Sequence, residues 1–131
     1  MGRLKTRLCR VALCLTLLSQ APAVDARALS DPLPIFAACT GRLSAMMEFQ
    51  WLVQDPGADA TQVLRDQMAE VLEAVTGPED RVRAMSLRIE AKVAEAGLLR
   101  TARFGRDRQA ADWAKARAER LVAECMLLVM S

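Results

Sequence analysis

The sequence predicts an all-α chain, an antiparallel up-down four-helix bundle with helices at roughly 34–54, 60–76, 78–97 and 107–130. Three observations lead there. No segment alternates polar and apolar residues over strand length, whereas four segments repeat apolar residues every three or four positions. Hydrophobic residues make up 53% of the chain and aromatic ones only 4%, so the core is assembled from Ala, Leu, Val and Met, which suits packed helices better than sheets. Finally, Cys39 and Cys125 each sit at the centre of an apolar stripe, one near the start of the first helix and one near the end of the last.

Residues 1–28 read as a secretory signal peptide. Arg3, Lys5, Arg7 and Arg10 form a basic start, Val11 to Leu18 an apolar run, and Ala21-Pro22-Ala23 or Ala26-Arg27-Ala28 a small-residue cleavage site, with cleavage after Ala23 to Ala28. Eight apolar residues span about 12 Å as helix, far short of the ~30 Å hydrocarbon core of a bilayer. No transmembrane anchor is therefore expected after signal removal, and residues 29–131 form a single helical domain. Cleavage would remove five of 18 basic side chains (Arg3, Lys5, Arg7, Arg10, Arg27) and one of 16 acidic ones (Asp25), turning a net charge of +2 into −2. The basic pI belongs to the precursor and gives no ground for a nucleic-acid partner. Fifteen Arg against three Lys, with abundant Ala, suit a bacterial gene rich in GC codons.

Leu29 to Pro34 is an extended lead-in, because Pro32 and Pro34 keep the preceding residues out of helical geometry. In the first helix Ile35, Phe36, Cys39, Leu43, Met46 and Val53 share one side, and Gly41, Ser44 and Glu48 the other. Asp55-Pro56-Gly57 ends it as a turn. The second helix opens at Asp59 or Ala60, with Asp59 and Gln62 as a variant capping box. Its stripe is Leu64, Met68, Val71, Leu72 and Val75. Thr76-Gly77-Pro78 separates it from the third helix, where Pro78, Glu79 and Asp80 suit a first turn. The third helix presents Val82, Met85, Ile89, Val93 and Ala96, and ends near Gly97 or frays onward to Ala102. The fourth starts at Asp107, with Ala111, Ala114, Ala118, Leu121, Val122, Cys125, Leu128 and Val129 on its inner face.

Cys9 and Cys14 would leave with the signal peptide, and the two remaining thiols of an exported chain pair as Cys39–Cys125. Each lies about five residues, or roughly 8 Å, from its helix end, and an up-down bundle brings those two ends together. Closing a loop of this length contributes about 4 to 5 kcal/mol in the chain-entropy model.

Composition excludes more functions than it suggests. The chain has no His and no Tyr, which removes His-based acid–base and nucleophilic catalysis and His-ligated zinc, copper or haem. No Cys-x-x-Cys-His haem motif and no glycine-rich phosphate loop occurs. No catalytic residue, metal site or cofactor is expected. Three positive features remain. Arg100, Arg103, Phe104, Arg106 and Arg108 form a candidate patch for an anionic partner. Met46, Met47, Met126 and Met130 sit on the two cysteine-bearing helices; thioether clusters can bind Cu(I), but core filling is the expected role. Arg42 and Gln50 flank the first stripe, in positions to line a small cavity with Glu124 or Arg117.

The expectation is a small exported protein, periplasmic or secreted, that is non-enzymatic and binds an envelope protein or an anionic surface. Leu52, Val63, Leu87, Leu98 and Leu127 lie off the stripes and would mark an interface if contiguous. The alternative is a ligand-binding or catalytic bundle working with Arg and carboxylates, which requires a pocket with convergent charges.

Overall fold

The computed structural model describes residues 31–130, so the expected signal peptide lies outside the described residues. Within them the chain folds as four helices, α1 (Leu33–Leu52), α2 (Ala58–Val75), α3 (Arg81–Phe104) and α4 (Arg108–Met130), with a 3-10 turn at Pro78–Asp80 and no strand. The all-α bundle is as expected, and Cys39 and Cys125 are joined with their Cα atoms 5.4 Å apart.

Local chemistry sets the helix ends. Asp31 accepts the Leu33 amide at 3.1 Å and Pro34 occupies the first turn of α1. At the other end Gln54 has φ 57°, a left-handed backbone that stops α1 at Leu52, two residues before the expected end. The expected Asp59–Gln62 capping box is not formed: α2 begins at Ala58, with Asp59 inside its first turn and no side-chain cap. Asp107 caps α4, accepting the Gln109 and Ala110 amides at 2.9 and 3.2 Å.

The third helix departs most from expectation. Pro78–Asp80 forms a 3-10 turn before it, and Gly97 does not end it; α3 runs seven residues further, to Phe104. A mid-helix glycine costs only about 1 kcal/mol, and Leu99, buried with Ala45 and Ala118, offsets that. Leu98–Phe104 is thus helix, and the loop is only Gly105–Asp107.

α1 is the central helix. It packs most extensively on α3, then on α2, while α4 leans chiefly on α3. The α1–α3 pair runs parallel: Asp31 pairs with Arg83 at 2.8 Å near one end and Glu48 with Lys92 at 2.6 Å further along. Gly41 permits the approach, since a methyl group there would collide with the Arg88 carbonyl oxygen and lie 2.9 Å from the Lys92 nitrogen. Gly41 and Ser44, expected on the outer side of α1, are therefore buried, while Ile35, expected inside, is exposed. Thr40 and Ser44 tolerate burial because each hydroxyl donates to the carbonyl one turn back, Phe36 at 2.8 Å and Thr40 at 2.7 Å.

Three apolar groups fill the interior: Cys39, Leu43, Met68, Val122 and Cys125; Leu33, Ala37, Leu72 and Ala84; and Ala45, Leu99 and Ala118. Among the described residues no helix is long and apolar enough to cross a membrane.

Candidate functional site

Of the apolar stripe assigned to the core side of α3, Ala96 packs on the interior and the other four residues face outward instead. Val82 is 79% exposed, Met85 55%, Ile89 51% and Val93 65%. α3 carries a second stripe, Ala84, Arg88, Ala91, Glu95, Leu99 and Ala102, at the same helical spacing, in which three alanines alternate with longer side chains. The close α1–α3 approach through Gly41 buries this second stripe and, among the described residues, leaves Val82, Met85, Ile89 and Val93 more than half exposed. Sequence periodicity picked out only the apolar stripe; the backbone separation decides which face is buried.

Along the same outer face, one turn apart, come Arg100 and Phe104 of the expected patch. Both line an apolar cavity of about 330 Å³ with Phe49 and Leu52 of α1. Arg103 stands 6.0 Å from the Phe104 ring centroid, and also borders a neighbouring cavity between α1 and α4. Arg106 lies in the turn and Arg108 starts α4, both exposed. The five patch residues therefore form the α3–α4 corner. α3 as a whole bears six cations, Arg81, Arg83, Arg88, Lys92, Arg100 and Arg103, against Glu90 and the buried Glu95. Arg83 and Lys92 are engaged by Asp31 and Glu48.

The five off-stripe residues do not form this face. Leu52, Val63 and Leu127 are exposed on three different helices, and Leu87 and Leu98 are half-buried. The methionines also separate: Met46 and Met126 flank the disulfide cluster, Met47 is buried, and Met130 is exposed.

A second site was anticipated only in part. Arg42 does line cavities with Arg117 and with Glu124, but Gln50 sits apart, beside the turn at Gly57. The group missed was Glu95, which borders the Arg42–Arg117 cavity. It is 1% exposed, and neither carboxyl oxygen has a hydrogen-bond partner. Burial pushes its carboxyl up to about 7, while Arg42 and Arg117 pull the other way. Its signal in the sequence was a lone acid among Ala91, Ala94, Leu98 and Leu99 of α3.

Comparison with protein-family models, with characterised proteins and with solved structures gave no match for this chain. Fold and sites together define a disulfide-closed helical bundle with an apolar, cation-flanked outer face.

Proposed function

We propose that this chain is a non-enzymatic binding protein of the bacterial cell envelope, exported to the periplasm by residues 1–28, that docks on anionic lipid. One observation carries the reading: the exposed Val82, Met85, Ile89 and Val93 stripe lies on the same helix as Arg100 and Phe104 and leads into the Arg-rich corner. A helix whose apolar face is bordered by Arg and Lys settles into a membrane interface with its axis in the surface plane. Cations near an anionic leaflet contribute about 1 kcal/mol each. Arg100, Arg103, Arg106 and Arg108 stand around Phe104, so the corner supplies charge and the stripe supplies apolar area. The cavity beside Phe104 gives space for the end of an acyl chain. The disulfide suits an oxidising compartment.

The test is co-sedimentation of the mature chain with vesicles of phosphatidylglycerol and phosphatidylcholine, against phosphatidylcholine alone. Binding should need the anionic lipid and weaken as salt is raised past 0.1 M, where the Debye length is about 10 Å. Replacing Arg100, Arg103 and Arg106 with Gln should weaken it by on the order of 100-fold, from about 3 kcal/mol lost. Equal retention on both vesicle types refutes the reading. So does concentration-dependent self-association without vesicle binding, which would mean that a second copy covers the stripe.

A further inference from the structure

The cavity between α1, α3 and α4 has a volume of about 340 Å³ and lies apart from the outer face of α3. Three charged side chains from three helices meet at it: Arg42 of α1, Glu95 of α3 and Arg117 of α4. Glu95 is almost fully buried, and both its oxygens lack partners. An unpaired buried polar group is costly, and in a folded protein such a group marks a place where a donor belongs. The guanidinium of Arg42 has only a long contact to the Cys125 sulfur, at 3.9 Å, which leaves most of its N–H groups available. The remaining wall is apolar, with Leu98, Trp113 and Leu121.

We propose that this cavity binds a free α-amino acid with an apolar side chain. The ammonium group donates to Glu95, the carboxylate accepts from Arg42 and Arg117, and the side chain lies against Leu98, Trp113 and Leu121. The charge pattern selects this class. A simple organic acid would satisfy the guanidinium groups but leave Glu95 without a donor and set a second carboxylate near it. A simple amine would satisfy Glu95 but meet two cations. A zwitterion carries both groups on one carbon and brings no net charge into the site. Arg–carboxylate pairing is also the strong, directional kind. The volume is at the lower end of ligand pockets, which suits a ligand of single-residue size. The Glu95 oxygens are covered in this conformation, so entry displaces Trp113 and Arg117, both exposed at the rim.

The experiment titrates the protein separately with L-leucine, isocaproate (the same body without the amine) and isoamylamine (the same body without the carboxylate), following amide chemical shifts by NMR. Leucine should saturate with a dissociation constant at least about 10-fold below either analogue, the lower bound for one charged hydrogen bond. Glu95→Gln should weaken leucine binding at least about 10-fold on the same grounds while leaving the melting temperature no lower. Should that variant not fold, Arg117→Gln, at an exposed position, should weaken leucine while sparing isoamylamine. The proposal is overturned if no probe gives saturable shifts, if either analogue binds as tightly as leucine, or if the Glu95 or Arg117 variant binds leucine unchanged.

Discussion

Replacing Glu95 with Gln should flatten the pH dependence of stability between pH 5 and 8. Burial holds the Glu95 carboxyl near 7 in the folded protein, against an ordinary 4.5. A folded-state pKa above the unfolded one means that the folded state binds the proton more tightly. The Glu95 contribution to stability is therefore greatest below about pH 4.5, falls as pH rises toward 7, and is level above that. A shift of about 2.5 units at 1.36 kcal/mol per unit amounts to about 3 kcal/mol between the two ends of the window. Gln keeps the shape and never ionises, so the variant should lack this slope. Its melting temperature relative to the parent should rise by roughly 10 °C or more between pH 5 and pH 8, at 4–8 °C per kcal/mol for a domain of this size. Asp31 acts in the opposite sense: a hydrogen bond from Arg83 holds its carboxyl below the ordinary range, so its contribution is lost only as pH falls through and below 3.8, outside the window. The assay is thermal unfolding by circular dichroism of both proteins at half-unit pH steps. Parallel curves across the window would refute the reasoning, because Glu95 would then be ionised and paired throughout.

Three further outcomes follow from the packing. Reduction, or Cys39→Ala, should cost about 3 kcal/mol and lower the melting temperature by more than about 10 °C; the double alanine variant should be little worse than either single one, and two free thiols in the denatured, unreduced protein lacking residues 1–28 would show that the bond is absent. Gly41→Ala should destabilise by about 2 kcal/mol or more, because the new methyl meets backbone of α3 that no rotamer change can move; an unchanged denaturant midpoint would contradict the close approach. Ile89→Asp, at an exposed site, should leave the melting temperature within a few degrees and abolish vesicle binding; retained binding would exclude the stripe from the docking face.

The helices and the disulfide were legible because both depend on local signals. Apolar spacing marks a helix whatever surrounds it, and a cysteine at a stripe centre is buried in any bundle. The Asp107 cap and the turns at Asp55-Pro56-Gly57 and Gly77-Pro78 follow from side-chain and backbone chemistry within a few residues. What was not legible depends on helix separation. Gly41 was placed on the outer side of α1, yet it sits where the α3 backbone comes close enough to exclude a methyl group. That contact inverted α3, turning Val82, Met85, Ile89 and Val93 outward and Glu95 inward. The Arg-rich segment could be read along the chain as a run of cations around Phe104, but the apolar cavity beside it requires Phe49 and Leu52, which sequence distance hides.

The attachment of α4 has a dynamic consequence. It is held at its start by the short Gly105–Asp107 turn and near its end by Val122 and the bond from Cys125 to Cys39, while the first half between rests on alanines, Ala111, Ala114 and Ala118. Flat alanine surfaces interlock little, so the first half of α4 can shift against its neighbours while the disulfide fixes its second half. Such shifts would widen or narrow the Glu95 cavity, whose outer wall is Trp113, Arg117 and Leu121 of α4. Amide exchange should record this as slow exchange throughout α1, enclosed by three helices, and faster exchange in α4 between its two anchors. Cutting the disulfide removes one anchor, and exchange in α4 should then accelerate toward its C-terminal end while α1 stays protected.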